Sequence, residues 1–157
     1  MPNNKGKQFE AKLLNDFKKS FPEGTIDRIY DTTNGYRGIA NISDFIGYNY
    51  PNIFYLEAKS HLGNTFPLVN LTQYDKLCTK VGVPGVRAGV VIWFIDHDKV
   101  IYVPISSITA MKNDGKKSVN IKMLAEGTYR MIELPSVKRR VFLDSDYSVL
   151  LQLGEGE

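Results

Sequence analysis

Cysteine is nearly absent from this chain of 157 residues. Cys78 stands alone, which excludes an intrachain disulfide and a cysteine-rich zinc site. Histidine is as scarce. His61 and His97 are too few and too separated for a dedicated zinc centre. The longest apolar run, Ala88 to Ile95, has eight residues, far from the roughly 20 that span a bilayer. The polar start MPNNKGKQFE carries no secretory apolar segment, so the expected setting is the cytoplasm, away from membranes. No phosphate loop, dinucleotide-binding glycine fingerprint or Ser-His-Asp pattern is present. There is no internal repeat. What remains is an ordinary globular composition, 43% hydrophobic and 24% charged. The length suits a single domain over 1–157, with residues 154–157 as a frayed tail.

The net charge of +3 says little, but its distribution says more. Residues 1–19, 112–122 and 130–140 each carry a net +3, so the rest of the chain is acidic. Segregated basic clusters suit a polyanion, whose counterions are released on binding. They also suit a solvated surface kept soluble by lysine.

Hydrophobic periodicity predicts a helix over 6–21, where Phe9, Leu13, Phe17 and Phe21 recur every fourth residue before Pro22-Glu23-Gly24. Strands are expected at Thr25 to Tyr30, Ser43 to Tyr48 and Ile53 to Lys59, the last two as a hairpin turned at Tyr50-Pro51-Asn52. Residues 62–69 read as a loop. Residues 71–81 read as a helix with Asn70 or Thr72 as its N-cap. Gly89 to Ile95 and Val100 to Pro104 read as core strands, Ser106 to Met111 as a helix start, and Tyr147 to Leu153 as a last apolar strand. Helices alternating with strands argue an α/β fold, a mixed sheet packed by helices.

The segment with chemical content runs from Asp44 to Lys59. Strand alternation points Phe54, Leu56 and Ala58 into a core and leaves Ile53, Tyr55, Glu57 and Lys59 on the other face. A hairpin can bring Asp44 beside Glu57. Two carboxylates can hold a hard cation such as Mg²⁺, which polarises a phosphoryl oxygen and lowers the pKa of bound water. The lysine can orient the water or offset charge in the transition state. A Glu-x-Lys pair is also what an exposed salt bridge on a surface strand looks like.

The pattern Asp44…Glu57-Ala58-Lys59 resembles the D…(E)xK signature of the restriction-endonuclease-like nucleases. The stretch EAKSHLGNTFPLVNLTQYDKL, residues 57–77, resembles the RecU family of Holliday junction resolvases: Glu-Ala-Lys, a short polar stretch, Phe-Pro-Leu, Asn, then a helix. The resemblance implies a restriction-endonuclease-like mixed β-sheet flanked by helices. It implies a Mg²⁺-dependent endodeoxyribonuclease, with Mn²⁺ as a substitute, that resolves four-way junctions by paired nicks in recombination and repair. It further implies a homodimer and a recombinase as a partner. Asp44 and Glu57 match the family's metal-binding carboxylates, and Lys59 its catalytic lysine. Glu10 matches an acidic residue near the metal, and Gln73 a polar residue from the helix after Phe66-Pro67-Leu68. His61 stands where the family often has Thr. The family's long projecting stalk is shortened here to residues 31–43, which retain Tyr36 and Arg37 for stacking and phosphate contact. Lys116, Lys117, Arg139 and Arg140 are the expected phosphate contacts. The competing readings are a nuclease for other branched or linear DNA, and a non-catalytic DNA-binding recombination partner.

Overall fold

A computed structural model describes residues 5–30 and 41–153. Tyr36 and Arg37, most of the expected stalk-like loop, and the tail at 154–157 lie outside the described residues. The fourfold recurrence of apolar residues yields helix α1, Lys5–Ser20, with Phe9, Leu13 and Phe17 buried along one stripe and Phe21 buried just beyond. β1 (Thr25–Arg28), β2 (Phe45–Asn49) and β3 (Asn52–His61) follow. Then come β4 (Thr65–Pro67), α2 (Tyr74–Cys78), β5 (Val86–Phe94), β6 (Lys99–Pro104) and α3 (Ile105–Asn113). The chain continues through β7 (Ser118–Asn120), α4 (Met123–Glu126), β8 (Ile132–Glu133), β9 (Ser136–Lys138) and β10 (Leu143–Ser145).

The main sheet has six strands in the order β1-β2-β3-β5-β6-β8. Only β3 and β5 run parallel, because the chain between them crosses over through β4 and α2. One face packs on α1: Phe54, Leu56, Ala58, Val91 and Trp93 share a core with Leu13 and Phe17. The other face packs on α2 and α3: Val90, Ile92 and Phe94 meet Leu77, Ile108 and Met111. β5 is covered on both sides, which is why its sequence is apolar almost throughout. Burial of each large side chain of α1 contributes about 1.5–3 kcal/mol, so this helix is held by packing more than by intrinsic propensity. It can lie close to β2 because of Gly47, where a Cβ would stand 2.7 Å from the Phe17 ring.

Three elements differ from expectation. The last apolar run is not a strand but a 3-10 helix, Tyr147–Gln152. Asp146 starts it by accepting a hydrogen bond from the Ser148 N–H at 2.9 Å, and the buried Arg87 guanidinium donates to the Leu150 and Leu153 carbonyls. The helix expected over 71–81 is α-helical only through α2. Gln73 flanks its start, and neither Asn70 nor Thr72 caps it. Around it the backbone bonds run to the third residue back, as from Tyr74 to Leu71 and from Thr79 to Lys76. Thr72, Thr79, Val81 and Gly82 are poor helix formers, and the Thr79 hydroxyl competes for the Lys76 carbonyl. The expected loop at 62–69 contains β4, which pairs antiparallel with β7.

One detail of register matters for function. β2 accompanies β3 only as far as the pair Phe45–Leu56, whereas β5 accompanies it to His61. From Glu57 to His61, one edge of β3 has no strand partner among the described residues.

Candidate active site

Asp44 sits at this opening, one residue before β2. Its carbonyl accepts from the Ile29 N–H at 2.7 Å, which continues the pairing of β1 with β2 by one step. Its side chain then bends over β3, and Oδ2 accepts from the Ala58 N–H at 2.9 Å. Glu57 replies with Oε1, which accepts from the Asp44 N–H at 2.9 Å. Each carboxylate is thus fixed by the other residue's strand. The N–H and C=O of an extended residue share an edge, so the Ala58 carbonyl faces the Asp44 side as well.

Lys59 lies two residues beyond Glu57 on the same face, with Nζ 3.6 Å from Glu57 Oε2. The alternation along β3 is as expected, but Glu57 is not a surface residue: it is only 1% exposed. Burial first, and the Asp44 carboxylate second, push its pKa from the ordinary 4.5 up to about 8, against the opposing pull of Lys59.

Glu10, on α1, reaches the same cluster. Burial and then Asp44 raise its pKa, while Arg28 and Lys59 pull it back. Arg28 is the residue the sequence reading passed over. Its Nη2 lies 3.1 Å from Glu10 Oε2, and its Nη1 donates to the Asp44 carbonyl at 3.1 Å and to Oδ1 at 3.4 Å. Only part of the signal was local: in β1 Arg28 shares a face with the buried Ile26, and the packing of α1 on that face brings Glu10 to it.

Gln73 is not brought into this cluster. It stands before α2, and its side-chain oxygen accepts from the Thr72 hydroxyl at 2.9 Å. His61, at the end of β3, meets the Phe66 and Phe94 rings edge-on, with centroids 5.9 and 6.4 Å away. Lys116 and Lys117 are exposed beside the segment that follows β3, since the Leu68 N–H donates to the Lys117 carbonyl at 3.0 Å. Arg139 is engaged within the chain, its Nε 2.6 Å from Asp144 Oδ2, while Arg140 is exposed. Lys12 also pairs with Asp144, and these two cations hold the Asp144 carboxyl down to about 2.

The shift at Glu57 has a measurable consequence. Without a cation, folded Glu57 keeps its proton up to about pH 8, whereas the unfolded chain releases it near 4.5. The folded state therefore binds the extra proton between these values, and stability falls as pH rises through that window. In EDTA, the melting temperature is expected to drop from pH 6 to pH 9, and Glu57→Gln to flatten the drop. An equal drop in both proteins would show that Glu57 is not the group responsible.

The donor set fits a hard divalent cation. Asp44 and Glu57 bring two sets of carboxyl oxygens together, and a cation there would offset the charge that burial and the neighbouring Asp44 make unfavourable on Glu57. Among the described residues, no three His, Cys, Asp or Glu side chains stand close enough to form a metal cage. Two carboxylates plus solvent and phosphate oxygens suit Mg²⁺, which keeps several waters, better than Zn²⁺.

Comparison with known proteins bears on the fold and the family. The fold is similar to that of Hjc, a Holliday junction resolvase from the archaeal hyperthermophile Archaeoglobus fulgidus, with a TM-score of 0.50 and 18% identity over 65% of this chain and 78% of that one. At this identity the likeness concerns the fold: a mixed sheet flanked by helices. A search of curated proteins found no match. The family of Recombination protein U matches from residue 5 to residue 143, a span that includes α1, all of β3 and the carboxylates at its open edge. By that match the chain belongs to the RecU family.

Proposed function

We propose that this protein is a Mg²⁺-dependent endodeoxyribonuclease that resolves four-way DNA junctions, Mn²⁺ serving in place of Mg²⁺. One observation carries the reading: Asp44 and Glu57 lie interlocked at an open strand edge, with Lys59 two residues further on the Glu57 face. Asp44 and Glu57 would hold the ion, which when bound supplies Lewis-acid polarisation of the phosphodiester and a more acidic water. Lys59 orients the attacking water and offsets developing negative charge. Glu10, tied to Asp44 through Arg28, keeps the carboxylate in place.

Resolution needs two nicks related by symmetry, so the working form is a homodimer with two such sites. Lys116, Lys117, Arg139 and Arg140 contact phosphates, Arg139 by exchanging Asp144 for DNA. Tyr36 and Arg37 approach the branch point, and Gln73 a neighbouring phosphate. The protein works in the cytoplasm beside a recombinase. No helix among the described residues is long and apolar enough to cross a membrane.

The test is incubation with an end-labelled four-way junction, a flap and a linear duplex. Paired nicks in the junction are expected with Mg²⁺ and none in EDTA. Cutting of the flap or duplex with the junction spared would replace this reading with that of another branched- or linear-DNA nuclease. Tight binding of the junction without any cutting would favour a non-catalytic partner.

A further inference from the structure

A cavity of about 420 Å³ opens between α1, β1 and the start of β2. It belongs to the same region as the carboxylate cluster, because Glu10 and Arg28 line both. Its remaining walls are different in kind. Ala11, Leu14 and Phe45 make an apolar side. Tyr30, 76% exposed, also lines it, and Lys7 lies on the α1 wall. The Arg28 guanidinium is 5.4 Å from the centroids of both the Tyr30 and the Phe45 rings. It ties the aromatic walls to the acidic cluster.

We propose that this cavity receives one unstacked base of the strand being cut, the nucleotide next to the scissile phosphate. The inference rests on the reading of the site as a DNA nuclease. Four observations favour a base over other occupants. The volume is within the roughly 300–1,000 Å³ of small-molecule sites, and a stacked base pair does not enter a pocket of that kind. Apolar and aromatic walls offer a π-face what it seeks and offer a bare phosphate nothing. Lys7 and Arg28 provide positive charge for the flanking backbone, and with Glu10 they present donors and an acceptor to a base edge. Sharing Glu10 and Arg28 with the acidic cluster places any occupant beside it, since Arg28 also reaches Asp44. Extrusion is least costly where stacking is already interrupted, which is the situation at a branch point. Occupancy would therefore fix the phosphate against Asp44 and Glu57 only when the strand can give up a base.

The experiment is a thermodynamic cycle between protein and DNA. Abasic sites are placed singly at each nucleotide within two of the scissile phosphate of a four-way junction. Affinity in EDTA and single-turnover cleavage in Mg²⁺ are measured for the wild type, Tyr30→Ala, Tyr30→Phe and Ala11→Phe. Ala11 is exposed on α1, so its phenylalanine fills the cavity without disturbing the core. On the intact junction, Tyr30→Ala and Ala11→Phe are expected to slow cleavage about fivefold to a hundredfold, the range of one base–aromatic stack. Tyr30→Phe, which keeps the ring, is expected to match the wild type. At one abasic position the wild type should lose a similar factor, and there Tyr30→Ala and Ala11→Phe should cost nothing more. Additive losses at every position, with the wild type cutting the intact junction normally, would overturn the base pocket and leave the nuclease reading standing. A wild type that neither binds nor cuts the intact junction would overturn both.

Discussion

Glu57→Gln is expected to lower junction cleavage by about a thousandfold or more while the protein stays folded. The fold should survive because the change is nearly isosteric. The glutamine oxygen can still accept from the Asp44 N–H, and burial already favours the neutral form of the native acid. Cleavage should not survive, because a neutral amide cannot hold a divalent cation against water as a carboxylate does. Asp44→Asn should behave alike, with the Ala58 N–H still satisfied by its amide oxygen. Lys59→Ala should differ in an informative way: Mg²⁺ or Mn²⁺ binding, followed by calorimetry, is retained, and the chemical step is lost. Substantial cleavage by Glu57→Gln would remove this cluster from consideration as the reaction centre.

The second large effect is expected at Arg28. Its two terminal nitrogens divide between Glu10 and Asp44, so Arg28→Ala leaves two partly buried carboxylates facing each other without their shared cation. The pairs are about a quarter exposed at most, so the loss is set below that of a fully buried bridge, at about 1–3 kcal/mol of stability in metal-free buffer. Cleavage should fall about a hundredfold, because Asp44 is no longer held in position. Arg28→Lys should recover part of the stability and less of the activity, since a point charge cannot bridge two acids as a planar fork can. Adding Glu10→Gln to Arg28→Ala should restore stability without restoring cleavage. Denaturation and single-turnover assays read the two effects separately. A variant unchanged in both would show that Arg28 does not organise the site.

The contrast between Arg28 and Glu57 explains what the sequence could reveal. Asp44, Glu57 and Lys59 lie on one hairpin, and strand alternation with a local turn is enough to bring them together. The sheet and α1 were legible for the same reason: their periodicities are local and strong. Arg28 acquires its role only through the packing of α1 across β1, which no short window of sequence contains. The same holds for Tyr147–Gln152. Its apolar residues fit a strand, and only the capping Asp146 and the distant Arg87, which binds its carbonyls, decide for a 3-10 helix. β4 and β7 are three residues each, and they exist only because each finds the other. Gln73 was placed by family likeness alone, and the hydrogen bond its side-chain oxygen accepts comes from the neighbouring Thr72 hydroxyl.

The edge of β3 beyond Leu56, which has no strand partner among the described residues, carries a further consequence, for solubility. A strand with free N–H and C=O groups is a template on which another chain can pair, and proteins generally cover or charge such edges. The proposed reaction requires this edge to stay open to DNA, which leaves no room for a covering strand or helix. The groups that perform the proposed reaction guard it instead. Asp44 occupies the Ala58 N–H, and the Lys59 ammonium stands along the same stretch as a charge that a neighbouring strand would have to desolvate. Catalytic side chains and gatekeepers against edge-to-edge association are then the same residues. Stripping both Asp44 and Lys59 to alanine would leave a folded domain with a bare strand edge, prone to self-association for a reason unrelated to its stability.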